Sequence, residues 1–380
     1  MKHHQYNKNL KFIKEPENFN KNTDRSFLQY CLGATLYMPG TKNILEKILK
    51  KDLTDITSLV MCFEDAICEE ELPAAEENVL NHLDKIADAV EKGNITIDDV
   101  PLIFIRTRNF EQFNIFSGKL TTKHTSVLSG FTFPKFDSYI AGEYFKTLEH
   151  LYIKHNTILY GMPILEGRII AYKETRNEEL LILKRILEPY KHYILNIRVG
   201  GTDFSSIWGV RRGINYSIYD ILTVRDCLSD ILSFFSRADD DYLLSGPVWE
   251  YFLAHKKDDI NDLLKHDLHH SLMNRVPIIN EAIDGLLREV ILDKANGFVG
   301  KTIIHPSHAR FVNAMQAVTK EAYDDAYQIL NTKGGVVKSA NANKMNEINP
   351  HKSWANKIIN RAKAFGVIED QDSYLKLILQ

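Results

Sequence analysis

Glu166 and Asp203 have the types and settings that chemistry requires: each carboxylate is delivered by an apolar run and stands next to or near glycine. Segment 158–168 (ILYGMPILEGR) ends on Glu166, and segment 194–203 (ILNIRVGGTD) ends on Asp203. A third run, 58–66 (SLVMCFEDA), delivers Glu64 and Asp65. A carboxylate ending a buried strand must be solvated, paired or bound to a cation, because burying it alone is very costly. Two such groups suit magnesium, which takes one or two protein carboxylates and leaves its other positions to water and substrate oxygens. The competing reading of each is a solvated strand-end acid or a helix N-cap. Arg106 and Arg108, in FIRTRN, are expected on the same side of an extended chain. Arg106 could clamp a carboxylate or stabilise a developing enolate, or pair with Glu64 or Asp65. Of the neighbours Glu64 and Asp65, one is expected at the site and the other at the cap of the next helix.

Further polar residues surround this set. Lys135, in TFPKFDS, raises Schiff-base chemistry, an alternative to a magnesium strategy and disfavoured beside the acidic pair. His305, in GKTIIHPSH, is a general base, a phosphate contact or a structural hydrogen-bonder. Arg211 and Arg212 hint at a phosphate or carboxylate on the substrate. With Arg106, Lys135 and His305, and with Gly201 and Thr202 beside the metal aspartate, they form the expected substrate-binding set. His266, His269 and His270 read as an exposed helix face.

Eight strands must position these residues: 33–39, 58–64, 101–107, 130–135, 158–165, 194–200, 242–247 and 301–305. Helical patterns at 43–51, 73–92, 139–153, 170–190, 216–236 and 277–295 separate them, with 110–127 less regular. Strands alternating with helices indicate parallel βαβ units. Eight of them, with acids at their C-terminal ends, predict an α/β fold of the (β/α)₈ TIM-barrel kind with its chemistry at that face. The turn after the first strand, Met38-Pro39-Gly40-Thr41, is no dinucleotide fingerprint. Residues 1–29 read as a polar tail, or an arm laid over the domain. The barrel is placed at 30–316, and 317–380 is read as a C-terminal helical arm or lid. An insertion is expected at 251–275.

The chain is 44% hydrophobic and 26% charged with net charge −3, as a soluble globular protein would be. That charge predicts neither a nucleic-acid nor a membrane partner. The cysteines Cys31, Cys62, Cys68 and Cys227 have no zinc spacing and read as reduced thiols. With no signal-like apolar run near residue 1 and no membrane-length stretch, a cytoplasmic location is expected.

Seven motifs occur together in order: LYMPG (36–40), MCFEDA (61–66), the arginine of IFIRTRN, FPKFDS (133–138), PILEG (163–167), RVGGTD (198–203) and GFVGKTIIHPSH (297–308). In these the chain resembles the HpcH/HpaI aldolase and citrate lyase beta-subunit family of magnesium-dependent TIM-barrel carbon–carbon lyases, over about residues 32–350. RVGGTDFSSIWGVRRG and SANANKMNEINPH look more like a citrate-lyase-beta-like branch associated with tellurite-resistance-type bacterial gene clusters. The resemblance implies Mg²⁺ on Glu166 and Asp203, Arg106 polarising the substrate carbonyl, and Glu64 and Asp65 as the acidic pair beside the site. Gly297, Gly300, Lys301 and His305 match the eighth-strand motif. Glu347, in Asn343-Lys344-Met345-Asn346-Glu347, matches an acid that closes over a neighbouring subunit's site, so a homo-oligomer (trimer or hexamer) is expected. The implied reaction is an aldol- or Claisen-type cleavage through an enolate, on a 2-oxo acid or acyl-CoA-like substrate. The alternatives are thioester hydrolysis on the same scaffold and a non-catalytic or carrier-dependent subunit. Gly-Gly-Thr-Asp and the longer loop with Trp208, Arg211 and Arg212 depart from the commoner pattern and put the thioester in question.

Overall fold

The computed structural model describes residues 1–252, 279–339 and 344–379. The expected histidine cluster at 266–270, Asn343 and the insertion from residue 253 onward lie outside the described residues.

The chain forms a closed parallel barrel. Its strands are β1 (Ala34–Pro39), β2 (Ser58–Cys62), β3 (Leu102–Arg106), β4 (Leu128–Phe133), β5 (Tyr160–Leu165), β6 (Ile197–Val199), β7 (Leu244–Ser245) and β8 (Lys301–Ile303). Each pairs with the next, and β1 pairs with β8 through Thr35 and Thr302. The last seam is closed by hydrogen bonds from Val299 N to Leu244 O (2.7 Å) and from Gly246 N to Gly300 O (3.1 Å). This is the predicted (β/α)₈ architecture, followed by C-terminal helices at Lys320–Asn331, Ile348–Phe365 and Asp372–Leu379.

Several strands differ in their ends from the sequence reading, and at two of them a proline sets the end. β4 stops at Phe133 because Pro134 has no amide to continue the ladder, and Lys135 then turns through the left-handed region (φ 48°). β7 shortens for the same reason at Pro247.

Alternation along the strands sorts two cores. Leu36, Leu59, Met61, Ile103 and Ile105 face outward to the helices. Val60, Leu102, Phe104, Tyr160 and Met162 fill the lower barrel together with Met1, Phe19, Leu28 and Phe365. The segment before β1 therefore packs under the barrel despite its polar composition. His3 shows how: its Nε2 lies 2.9 Å from Cys31 O, and its ring stacks on Phe365 with centroids 4.2 Å apart.

Burial pushes His3 down to about 3 and His308 to about 4, and holds His4 well below its ordinary 6.5. The unfolded chain therefore takes up protons first. The stability these groups give is complete above pH 6.5 and is lost as pH falls towards the depressed values, by roughly 1.4 kcal/mol per pH unit for each histidine. The apparent Tm should fall between about pH 7 and about pH 5. His3→Gln, which keeps a donor for Cys31 O, should give a shallower fall; an unchanged slope would remove His3 as a source.

Helix Glu281–Ala295 is held to β8 by buried charge. Lys301 Nζ lies 2.7 Å from Asp293 Oδ2 and 3.1 Å from Glu289 Oε2. Glu289 also pairs with Arg212 and accepts from Ile218 N at 2.6 Å. Tyr219 donates to Asp293 Oδ1 at 2.6 Å. Among the described residues no helix is long and apolar enough to cross a membrane.

Candidate active site

The C-terminal ends of β1, β2, β3, β5, β6 and β8 surround a cavity of about 380 Å³ whose lining includes Tyr37, Arg106, Glu166, Arg198, Asp203 and Thr302. A larger cavity of about 730 Å³ between helix Glu281–Ala295 and the C-terminal helices contains none of the expected site residues. The chemistry-bearing groups gather in the smaller one.

Glu166 leaves β5 into the cavity and is 3% exposed. Its Oε1 accepts from the Lys135 amide at 2.9 Å and lies 3.3 Å from Arg106 Nη2. The turn after β6 presses against it so closely that a Cβ on Gly200 would sit 2.2 Å from Glu166 Oε2. Only glycine permits that approach, which brings Asp203, in the first turn of helix Gly201–Ile207, to the same cavity. Burial, opposed by Arg106 and reinforced by the charges of Asp203 and Glu64, pushes the Glu166 carboxyl up to about 8. Burial and the neighbouring acids thus outweigh what Arg106 and the Lys135 amide compensate.

Arg106 ends β3 and binds three acids through Nη2: Glu64 at 2.6 Å, Asp65 at 3.2 Å and Glu166 at 3.3 Å. Burial opposes its charge, but Glu166 and Glu64 outweigh it and hold the guanidinium more firmly protonated than usual. The expected split between Glu64 and Asp65 is corrected: both reach Arg106. β2 ends at Cys62, so strict alternation no longer separates the two side chains, and the helix Leu72–Glu91 is preceded by Glu71. Arg108 is also corrected. β3 has ended by then, and Arg108 Nη2 donates to Ile67 O at 3.2 Å, away from Glu166.

The other expected residues divide. Gly201 and Thr202 line the cavity, and Thr202 Oγ1 donates to Glu250 Oε1 at 2.9 Å. Lys135 holds Glu166 by its amide, while its Nζ lies 2.5 Å from Glu64 Oε1. Burial works against the ammonium, but the Glu64 pair wins and raises its pKa, the reverse of what a Schiff-base amine needs. Arg212 is corrected: it is 3% exposed and its charge is spent on Glu289 and Glu250 beneath the Trp249 ring, so it cannot contact a substrate. Arg211 is exposed. His305 stacks on Phe252 (4.7 Å between centroids) and bonds Ser307 Oγ at 2.7 Å, outside the cavity lining. Glu347 is exposed on a hairpin of Val336–Lys338 and Met345–Glu347 and is not part of this chain's own cavity wall. Sequence reasoning missed Tyr37, Arg198 and Thr302. Its signal was present for Arg198, a cation flanked by Ile197 and Val199 in the middle of a strand.

The fold and its mouth define a (β/α)₈ barrel with a pair of acids, Glu166 buried and Asp203 half-buried, and a clamping arginine at the strand C-termini. The chain belongs to the family described as C–C bond lyase of the TIM-barrel fold, which matches residues 26–367. No curated protein matches it. Among solved structures, it is similar to CitE from Mycobacterium tuberculosis in complex with magnesium, acetoacetate and coenzyme A (16% identity, TM-score 0.49, covering 88% of this chain and 99% of that one). It is also similar to RipC from Yersinia pestis (12%, TM-score 0.46, 76% and 95%). A citrate lyase beta subunit from M. tuberculosis with oxaloacetate and magnesium also matches (17%, TM-score 0.42, 75% and 96%).

Proposed function

We propose that this protein is a magnesium-dependent lyase that breaks or forms a carbon–carbon bond of aldol or Claisen type, on a 2-oxo acid or acyl-thioester-like substrate. The observation that carries this reading is the convergence of Glu166, Asp203 and Arg106 on one cavity. Among the described residues no group of three or more His, Cys, Asp or Glu side chains forms a metal cage. Two carboxylates with room for other ligands suit magnesium, whereas a structural zinc site would need four. The Glu166 carboxyl, displaced to about 8, supports the same fit.

Magnesium, when bound, would supply Lewis-acid stabilisation of negative charge on a substrate oxygen. Arg106 donates charged hydrogen bonds to that oxygen as the enolate develops. Glu64 and Asp65 hold the guanidinium in place, and the Lys135 amide fixes the Glu166 carboxylate. Ile164 and Val248 keep one wall apolar. Glu347, carried on its exposed hairpin by a neighbouring copy of the chain, moves the substrate proton.

Calorimetric titration of magnesium and then oxaloacetate tests this. The wild type should bind both, the keto acid only with metal. Glu166→Ala/Asp203→Ala should lose metal by more than the roughly 10–100-fold that removing a supporting residue costs. No metal binding by the wild type, or wild-type binding by the double variant, would overturn the reading.

A further inference from the structure

Arg106 answers the acids on one side of the mouth, but the floor carries a charge that nothing balances. Arg198 projects from β6 into the barrel and is 1% exposed, while its neighbours Ile197 and Val199 belong to the outer core. Its Nη2 donates to Thr302 Oγ1 at 2.7 Å and its Nη1 to Thr35 Oγ1 at 3.4 Å. The guanidinium carbon lies 5.4 Å from the centroid of the Tyr37 ring. Nε is buried and has no acceptor. Among the described residues no carboxylate forms an ion pair with Arg198, and the nearby acids Glu64, Asp65 and Glu166 are taken by Arg106.

Hydroxyls and a ring face solvate a guanidinium without neutralising it, and a buried cation without a counter-ion is costly. Arginine does not escape that cost by giving up its proton. The same side chain lines the cavity that holds Glu166 and Asp203. Its planar fork matches a carboxylate. A charge left open in this way, on the wall of the reaction cavity, is a receptor awaiting an anion.

We propose that Arg198 binds a second carboxylate of the substrate, one held away from the end that meets Glu166 and Asp203. The assignment rests on the function proposed above and narrows it: the substrate is a dicarboxylate, or an acid that carries a carboxylate besides its reacting carbonyl. Thr35, Thr302 and Tyr37 orient the guanidinium for that group.

The test compares oxaloacetate with pyruvate, which lacks the second carboxylate, by calorimetry at saturating Mn²⁺ in the wild type, Arg198→Gln and Arg198→Met. Electron spin resonance of Mn²⁺ and a ligand-free Tm are read on the same samples. The wild type should prefer oxaloacetate by about 10–100-fold, the range a charged hydrogen bond gives. Both variants should lose that preference by loosening oxaloacetate alone. Their Mn²⁺ and pyruvate affinities should stay, and Arg198→Met should melt no lower than the wild type, since it removes an unpaired buried charge. Variants that keep the preference overturn the proposal. So do variants that lose Mn²⁺ and pyruvate together with a lower Tm, which is the mark of a purely structural arginine. No Mn²⁺ binding by the wild type would defeat the metal reading instead, and the oxaloacetate preference repeated in EDTA would still decide Arg198.

Discussion

Arg106→Met should slow enolate formation severely while leaving the metal site intact. Exchange of the pyruvate methyl protons in D₂O with magnesium, followed by proton NMR, should slow by roughly 10³-fold, the loss expected when an oxyanion donor in a dry site is removed. Metal affinity should hold or improve. Arg106 Nη2 now lies 3.3 Å from Glu166 Oε1 and competes with any cation for that oxygen. Arg106→Lys should fall between, because an ammonium offers a point charge in place of a planar fork. Exchange within tenfold of the wild type would remove Arg106 from the chemistry. Parallel loss of metal would show that the site had collapsed.

Lys301→Met should be the most destabilising single change outside the cavity. The ammonium is fully buried and serves both Asp293 (2.7 Å) and Glu289 (3.1 Å), themselves buried. Removing one partner of such a cluster leaves uncompensated charge and costs about 3–5 kcal/mol. For a chain of this size that lowers the apparent Tm by roughly 4–6 °C. Burial already raises the Asp293 pKa, with Lys301 holding it back. Without Lys301 the acid should take up its proton more readily, so the gap between variant and wild type should narrow as pH falls. A Tm within a degree or two of the wild type would show that the cluster is dispensable.

Much of this architecture was legible in the sequence. Apolar runs that deliver a carboxylate gave the barrel strands and their polar end, and both acids of the cavity came with them. Arg106 was legible too, because it closes its strand. What failed depended on register and on partners distant in sequence. Arg211-Arg212 reads as an exposed basic pair, yet Arg212 is covered by Trp249 and neutralised by Glu289, from segments far along the chain. Glu64 and Asp65 look like residues pointing apart only if the strand continues past Cys62, and it does not. Arg198 sat inside a motif quoted for its aspartate, and its inward direction is set by the pairing of β6 with β5 and β7, which a single sequence does not encode locally.

The stacking of His3 on Phe365 beneath the barrel has a consequence for synthesis. The floor is assembled from residues far apart in the order of synthesis, so the β-strands emerging from the ribosome have no finished base to settle on. Domains with such remote contacts fold slowly and expose apolar edges meanwhile. A nascent chain of this protein should therefore lean on holding chaperones until translation has passed residue 365, and become protease-resistant in one late step.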